Sequence, residues 1–562
     1  MRRSFMILAA LVLLAIMALP VAAAPSGTVS VQILAVNDFH GNLEPPSGSS
    51  GRIGSLTNNQ CIAPACYLAG GVEYLATHIR NLRATNPNTV VVSAGDLIGA
   101  SPLTSALFHD EPTIEAFNQI GLDFNAVGNH EFDEGAAELL RMQNGGCHPV
   151  DGCQDGDPFY GANFQFLAAN VVRQNNGKTL FPPYKIRSFG AAKVAFIGMT
   201  LEGTPTIVTP AGVAGLKFLD EADTVNALVP ELKAKGVKTI VVLIHEGGAQ
   251  TGTYNQCAGI SGAIVDIVNR LDPEVDAVIS GHTHNAYNCT INGKLVTSAA
   301  SFGRLVTDVD LTIDRTTGQV VTMSANNNIV TRDVPKAADL TALLVKYQTL
   351  SAPLANRVIG SITADITTTA SAAGESALGD VIADAQLAAT APANLGGAVV
   401  AFMNPGGIRT NLNYAQISGG EQPGEVTYAE AFNVQPFGNS LVTKTMTGAQ
   451  IKALLEQQFN NPGAGQTRFL QVSKGFSYTW SQSAPAGDKI SNIAINGVPV
   501  DPNASYRVTM NSFLATGGDN FTVFNLGTND LGGAVDTDAL SDYFGSNSPV
   551  APGPRNRFTV IP

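Results

Sequence analysis

Apolar residues gather in short runs along the first half of the chain, and each run gives way to a polar cluster. Residues 28–36 (TVSVQILAV) lead into Asn37-Asp38-Phe39-His40, and 89–94 (TVVVSA) into Gly95-Asp96. Residues 124–127 lead into Gly128-Asn129-His130-Glu131-Phe132-Asp133, 239–244 (TIVVLI) into His245, and 275–280 (VDAVIS) into Gly281-His282-Thr283-His284. Runs of this length, rich in Val and Ile, read as buried strands. Between them, residues 71–82, 113–120, 134–140 and 222–235 predict helices. Alternating strands and helices make an α/β fold and place the strand ends along one edge of a sheet, where such folds keep their ligands.

Helical spacing returns over 339–347 and predicts a linker helix within 336–356. Beyond it a second α/β unit is expected over 357–562, with helices at 378–387 and 448–459 and strands at 397–403, 476–480 and 506–510. A chain of 562 residues exceeds one ordinary core, so two domains are expected, 25–335 and 357–562. The N-terminus has Arg2 and Arg3, an apolar run over 5–19 and the small residues Val21-Ala22-Ala23-Ala24. That pattern predicts a signal peptide over 1–24 and a secreted or periplasmic protein. No later stretch reaches membrane length, so no span is expected once the signal is removed.

Hydrophobic residues at 44% and charged residues at 14% predict well-packed domains. The net charge of −13 repels a polyanion, and no basic run offsets it, so a nucleic-acid polymer is not an expected partner. The cysteines are Cys61, Cys66, Cys147, Cys153, Cys257 and Cys289. An even number in an exported chain predicts disulfides. Cys61 with Cys66 and Cys147 with Cys153 could close small loops and leave Cys257 for Cys289, a connectivity the sequence leaves open.

Five of the eight histidines, His40, His130, His245, His282 and His284, fall at strand ends; His78, His109 and His148 read as surface residues. Asp38, His40, Asp96, Asn129, His245, His282 and His284 supply carboxylate, amide and imidazole donors enough for two divalent cations. Such mixed ligation suits zinc, manganese, cobalt or iron better than calcium.

The ordered blocks Asp-x-His, Gly-Asp, Gly-Asn-His-Glu and Gly-His-x-His resemble the calcineurin-like metallophosphoesterases. The resemblance implies a β-sandwich flanked by helices, in which Asp38, His40 and His284 hold one cation, Asn129, His245 and His282 the other, and Asp96 bridges. Two cations about 4 Å apart can activate water and neutralise charge at phosphorus. His130 is placed to stabilise phosphate charge or protonate the leaving oxygen, with Asp133 holding its other ring nitrogen.

Later blocks, Glu375-Ser376-Ala377-Leu378-Gly379-Asp380, Asn404-Pro405-Gly406-Gly407-Ile408-Arg409, Pro436-Phe437-Gly438-Asn439 and Phe513-Leu514-Ala515-Thr516-Gly517-Gly518-Asp519, resemble the secreted 5′-nucleotidase and UDP-sugar hydrolase family. By that resemblance Phe437 and Phe513 sandwich a nucleobase, Asn439 touches its edge, Asp519 binds ribose hydroxyls, and Arg409 with Asn404 steers sugar or phosphate. Gly374 departs from relatives that carry arginine there, which removes one anchoring charge. The implied activity is phosphate release from nucleoside 5′-monophosphates, with UDP-sugars or other nucleotide pyrophosphates as further substrates. Asp133 favours this over a 2′,3′-cyclic-nucleotide phosphodiesterase/3′-nucleotidase, whose members typically carry Asn there. A non-catalytic cell-surface nucleotide-binding protein is the alternative of a different class.

Overall fold

The strand Thr28–Val36 divides its side chains between two cores: Val29, Val31, Ile33 and Ala35 enter one, Leu34 and Val36 another. A strand buried on both faces needs a layer on each. The computed structural model, which describes residues 27–562 apart from 47, 55–60, 62–64, 209–210 and 462–465, supplies those layers. The signal-peptide expectation lies outside the described residues.

Two six-stranded sheets stack face to face. One runs Val320–Ile329, Leu305–Asp314, Thr28–Val36, Thr89–Ser93, Phe124–Ala126, Gln165–Leu167; the other runs Ala286–Ile291, Lys294–Ala299, Ala277–Ser280, Thr239–His245, Ala192–Thr200, Tyr184–Phe189. The apolar layer between them takes Ile33, Val92, Phe124, Phe196, Leu243 and Ile279 from both. Helices Val72–Arg83 and Glu111–Ile120 cover the first sheet, and Glu221–Ala234 and Ala263–Arg270 the second. The result is the helix-flanked β-sandwich.

One expectation changes. The five strands carrying polar ends do not share a sheet: Thr28–Val36, Thr89–Ser93 and Phe124–Ala126 are parallel neighbours in the first, Thr239–His245 and Ala277–Ser280 in the second. Both sets end at the same rim of the sandwich. A Val/Ile run buried on both faces fits either sheet equally well, so its composition carries no signal for which it joins.

The helix Ala338–Ala355 is docked rather than suspended, since Leu340, Leu343, Leu344 and Tyr347 belong to the apolar cluster beneath the first sheet. After it comes a five-stranded sheet ordered Gln471–Val472, Val400–Met403, Ser505–Asn511, Ser440–Thr447, Thr528–Val535, and a four-stranded one that takes in the tail strand Phe558–Ile561. Helix Ala377–Thr390 packs on the larger sheet, capped by Ser376, whose Oγ accepts the Gly379 amide. The disulfides are Cys61–Cys66, Cys147–Cys153 and Cys257–Cys289. Among the described residues no helix is long and apolar enough to cross a membrane.

Candidate metal centre and substrate cleft

At the shared rim the polar residues form two groups whose donor atoms lie within 4.8 Å of one another: Asp38, His40 and His284, and Asp96, His245 and His282. The two sheets are joined there. His282 donates its amide to both Asp38 carboxylate oxygens at 3.0 Å, and the His245 ring reaches across to Ala94 O at 2.8 Å. Backbone shape sets the side chains, because Asp38, His40, Asp96, His282 and His284 all adopt φ between 48° and 70°. That left-handed region costs non-glycine residues about 1–2 kcal/mol each.

The donors are disposed as a cation requires. His40 gives its Nδ1 proton to Gly99 O at 2.8 Å, which leaves Nε2 as a lone pair 3.2 Å from His284 Nε2 and 3.7 Å from Asp96 Oδ2. His245, fixed by Ala94 O, points Nε2 at Asp96 Oδ2, 2.9 Å away but out of hydrogen-bonding line. Asn129 Oδ1 is buried with no hydrogen-bond partner. Lone pairs facing one another in a buried space repel unless positive charge lies between them, and His40 and His245 already have the outer hydrogen bond that orients a metal ligand. The residues present fit two divalent cations.

Without a cation the centre takes its positive charge from protons. Burial alone would raise the Asp96 carboxyl, but His245 and then His130 hold it well below the ordinary carboxylate range. Burial would lower His245, yet Asp96 pushes it up to about 10, while burial and the His245 charge bring His282 down to about 3. Glu131 braces the centre. Its carboxylate accepts the amides of Asp96, Leu97 and Gly128 at 3.0, 2.8 and 2.6 Å, tying together the turns that carry Asp96 and Asn129.

His130 adjoins these groups, its amide donating to Asp96 Oδ1 at 2.9 Å and its Nδ1 lying 2.9 Å from Asp133 Oδ2. Burial lowers its pKa, but Asp133 and then Asp96 outweigh that and raise it. Its ring stacks on Phe437 of the second unit, centroids 5.6 Å apart, and the Arg409 guanidinium lies 5.7 Å from the Phe437 ring centre. A cleft of about 230 Å³ opens between the units, lined by His284, Phe302, Pro405, Gly406, Ile408 and Arg409.

Other residues singled out in the second unit gather beside this cleft without all facing it. Asp519 Oδ2 accepts from Asn404 Nδ2 at 2.9 Å, and Asn404 Oδ1 accepts from Asn511 at 3.0 Å. Asn439 is buried, its carbonyl taken by Ser512 Oγ at 2.9 Å. Phe513, in the short helix Ser512–Ala515, packs against the second unit's core. One face of Phe437, the residue expected to stack on a base, lies against His130 in this arrangement.

Two neighbours carried no sequence signal. Phe302, itself at φ 61°, sets its ring 5.3 Å from that of His284 and 6.1 Å from that of His40. Arg468 pairs with Asp519 Oδ1. At Gly374 (φ 99°) a β-carbon would overlap the Phe469 ring, so the position excludes an arginine as well as lacking one. His109 and His148 lie in surface segments as read, partly shielded, with rings stacked 3.8 Å apart beside carboxylates.

Residues 31–286 match the calcineurin-like phosphoesterase family, and residues 358–526 the 5′-nucleotidase C-terminal domain. The chain joins a calcineurin-like phosphoesterase domain to a 5′-nucleotidase C-terminal domain, the make-up of a metal-dependent phosphoester hydrolase. Among its relatives, a Bacillus subtilis (strain 168) protein named endonuclease YhcR is 34% identical over 94% of this chain, which spans only 41% of that protein's length. A snake venom 5′-nucleotidase from Gloydius brevicauda is 27% identical over 95% of the chain and 89% of its own. The crystal structure of a 5′-nucleotidase precursor from Thermus thermophilus superposes with a TM-score of 0.76 at 27% identity, covering 95% of this chain and 99% of that one.

Proposed function

We propose that the protein releases phosphate from nucleoside 5′-monophosphates, with UDP-sugars and other nucleotide pyrophosphates as further substrates. The observation that carries this is the meeting of the units: a base-sized aromatic and a guanidinium, Phe437 and Arg409, stand against His130 at the edge of both donor groups. When bound, two divalent cations held by Asp38, His40, Asp96, Asn129, His245, His282 and His284 activate water and neutralise phosphoryl charge. With Nδ1 held by Asp133, His130 presents Nε2 and donates its proton to a phosphoryl or leaving oxygen. Arg409 binds the phosphate oxygens. Phe437 and Phe513 take the base between their faces, Asp519 the ribose hydroxyls, and Asn404 and Asn439 hold these groups in register. A base that takes the His130 side of Phe437 requires the second unit to move during turnover. The N-terminal pattern supports a secreted or periplasmic site of action.

A second reading rests on one observation, the endonuclease name of the Bacillus relative; the acidic charge of this chain weighs against a polynucleotide substrate. The test is product formation, read as inorganic phosphate and by chromatography of nucleosides, nucleotides and oligonucleotides, by chelated and then manganese- or zinc-reloaded protein, with AMP, 3′-AMP, 2′,3′-cyclic AMP, UDP-glucose and a single-stranded polynucleotide in parallel. Metal-dependent preference for AMP is expected, and Asp96→Asn should abolish it in a protein that still melts cooperatively. Preference for the 3′ or cyclic compounds overturns the weight placed on Asp133, and cleavage of the polynucleotide alone supports the endonuclease reading. Nucleotide binding without product supports the non-catalytic alternative.

A further inference from the structure

Away from the cleft a second imidazole–carboxylate cluster is assembled from three separate segments. His109 lies between the helices Leu103–Ala106 and Glu111–Ile120. His148 and Asp151 lie within the loop closed by Cys147–Cys153, and Glu134 immediately precedes the Gly135 cap of helix Ala136–Asn144. His109 Nε2 stands 2.9 Å from Asp151 Oδ2, and His148 Nδ1 stands 3.2 Å from the same oxygen. On the other side of its ring, His109 Nδ1 is 2.7 Å from Glu134 Oε2.

We propose that His109, His148 and Asp151 form a third divalent-cation site, separate from the cleft and suited to zinc. Two imidazoles and one carboxylate are the donor types that favour zinc over calcium or magnesium. Bonds of about 2.0–2.1 Å to a tetrahedral ion place ligand atoms about 3.3 Å apart, close to the spacings on Asp151 Oδ2. Glu134 receives the Nδ1 proton of His109 in the outer-sphere arrangement that orients a metal-bound histidine, and the Nε2 proton that meets Asp151 is the one an ion displaces. His148 Nδ1 is unprotonated, since it accepts the Asp151 amide at 3.1 Å, a bond that coordination replaces. The imidazole planes are 15° from parallel, so taking the ion opens the stack by rotation about the His148 Cβ–Cγ bond.

The shielding separates this group from ordinary surface charge. The His109 and His148 side chains are 17% and 16% exposed, whereas Asp151 at 42% leaves a path for the ion and for water as the remaining ligand. Such an ion ties the disulfide-closed loop to the segment that carries Asp133 and Glu134.

The test counts zinc. Full-length protein is stripped with chelator, reloaded with zinc and freed of excess, and zinc per chain is measured by mass spectrometry for wild type, His148→Ala and Asp151→Asn. Each variant should hold one zinc fewer than wild type while keeping metal-dependent phosphate release. The same loss of one should appear in an Asp96→Asn background, so that the outcome does not depend on the catalytic reading. Circular dichroism checks that each variant is folded, and the exposed, near-isosteric Asp151→Asn serves if His148→Ala is not. Equal zinc content in wild type and a folded variant overturns the proposal.

Discussion

At the scale of single residues, the cleft divides its work between groups that meet charge and groups that meet a flat ring. Phe437 belongs to the second kind. Base–aromatic stacking contributes about 1–3 kcal/mol, so Phe437→Ala should raise KM for AMP by about tenfold and leave hydrolysis of a generic aryl phosphate nearly unchanged. Steady-state kinetics on both substrates decides, and an equal loss on both contradicts the stacking role. The residues of the two donor groups were legible because their clusters follow a Val/Ile run or a glycine. Gly128 shows the reason for the glycine: a β-carbon there would collide with the Asp96 carboxylate. Phe302 and Arg468 were not legible, since neither lies in a block of that kind, and what places them is a left-handed turn and an ion pair formed only in three dimensions.

At the scale of elements, neighbours such as Ala192–Thr200, Leu305–Asp314 and Ser440–Thr447 went unread, whereas the strands that end in polar clusters were readable nearly to the residue, because a buried run of β-branched residues has few other homes. Their division between two sheets was not, since it depends on crossovers rather than on any run's composition. The second unit adds a device at the start of helix Ala377–Thr390. Glu375 accepts the Arg557 amide with both oxygens at 3.1 Å, and Arg557 grips Asp384 in two bonds of 2.8 Å, so helix and tail strand are fastened together. Burial, then the facing Asp380 charge, pushes Glu375 up to about 8 from an ordinary 4.5. The folded chain therefore keeps a proton there that the unfolded chain has released. Its contribution to stability is full below pH 4.5 and is lost as pH rises through about 8. Glu375→Gln should flatten the melting temperature against pH across that window, and an unchanged slope would show that Glu375 does not titrate there.

At the scale of the whole molecule, the two units touch where the chemistry is expected. Besides the His130–Phe437 stack, the Leu103 amide donates to Asn433 Oδ1 at 3.0 Å. If the second unit must swing to admit a nucleotide, a covalent crosslink pinning the units in this arrangement should leave metal uptake unchanged and cut AMP turnover by at least about tenfold. Undiminished turnover in the crosslinked protein would show that the cleft fills without such motion. The left-handed ligands carry a last consequence. A centre built from five residues in a costly conformation competes with the thermal endurance of the fold that holds it, and selection for stability alone would replace them with glycine. In metal-free protein, His284→Gly should thus melt above His284→Ala by about 1–3 °C, less strained and equally inert, because activity and robustness draw on the same backbone turns.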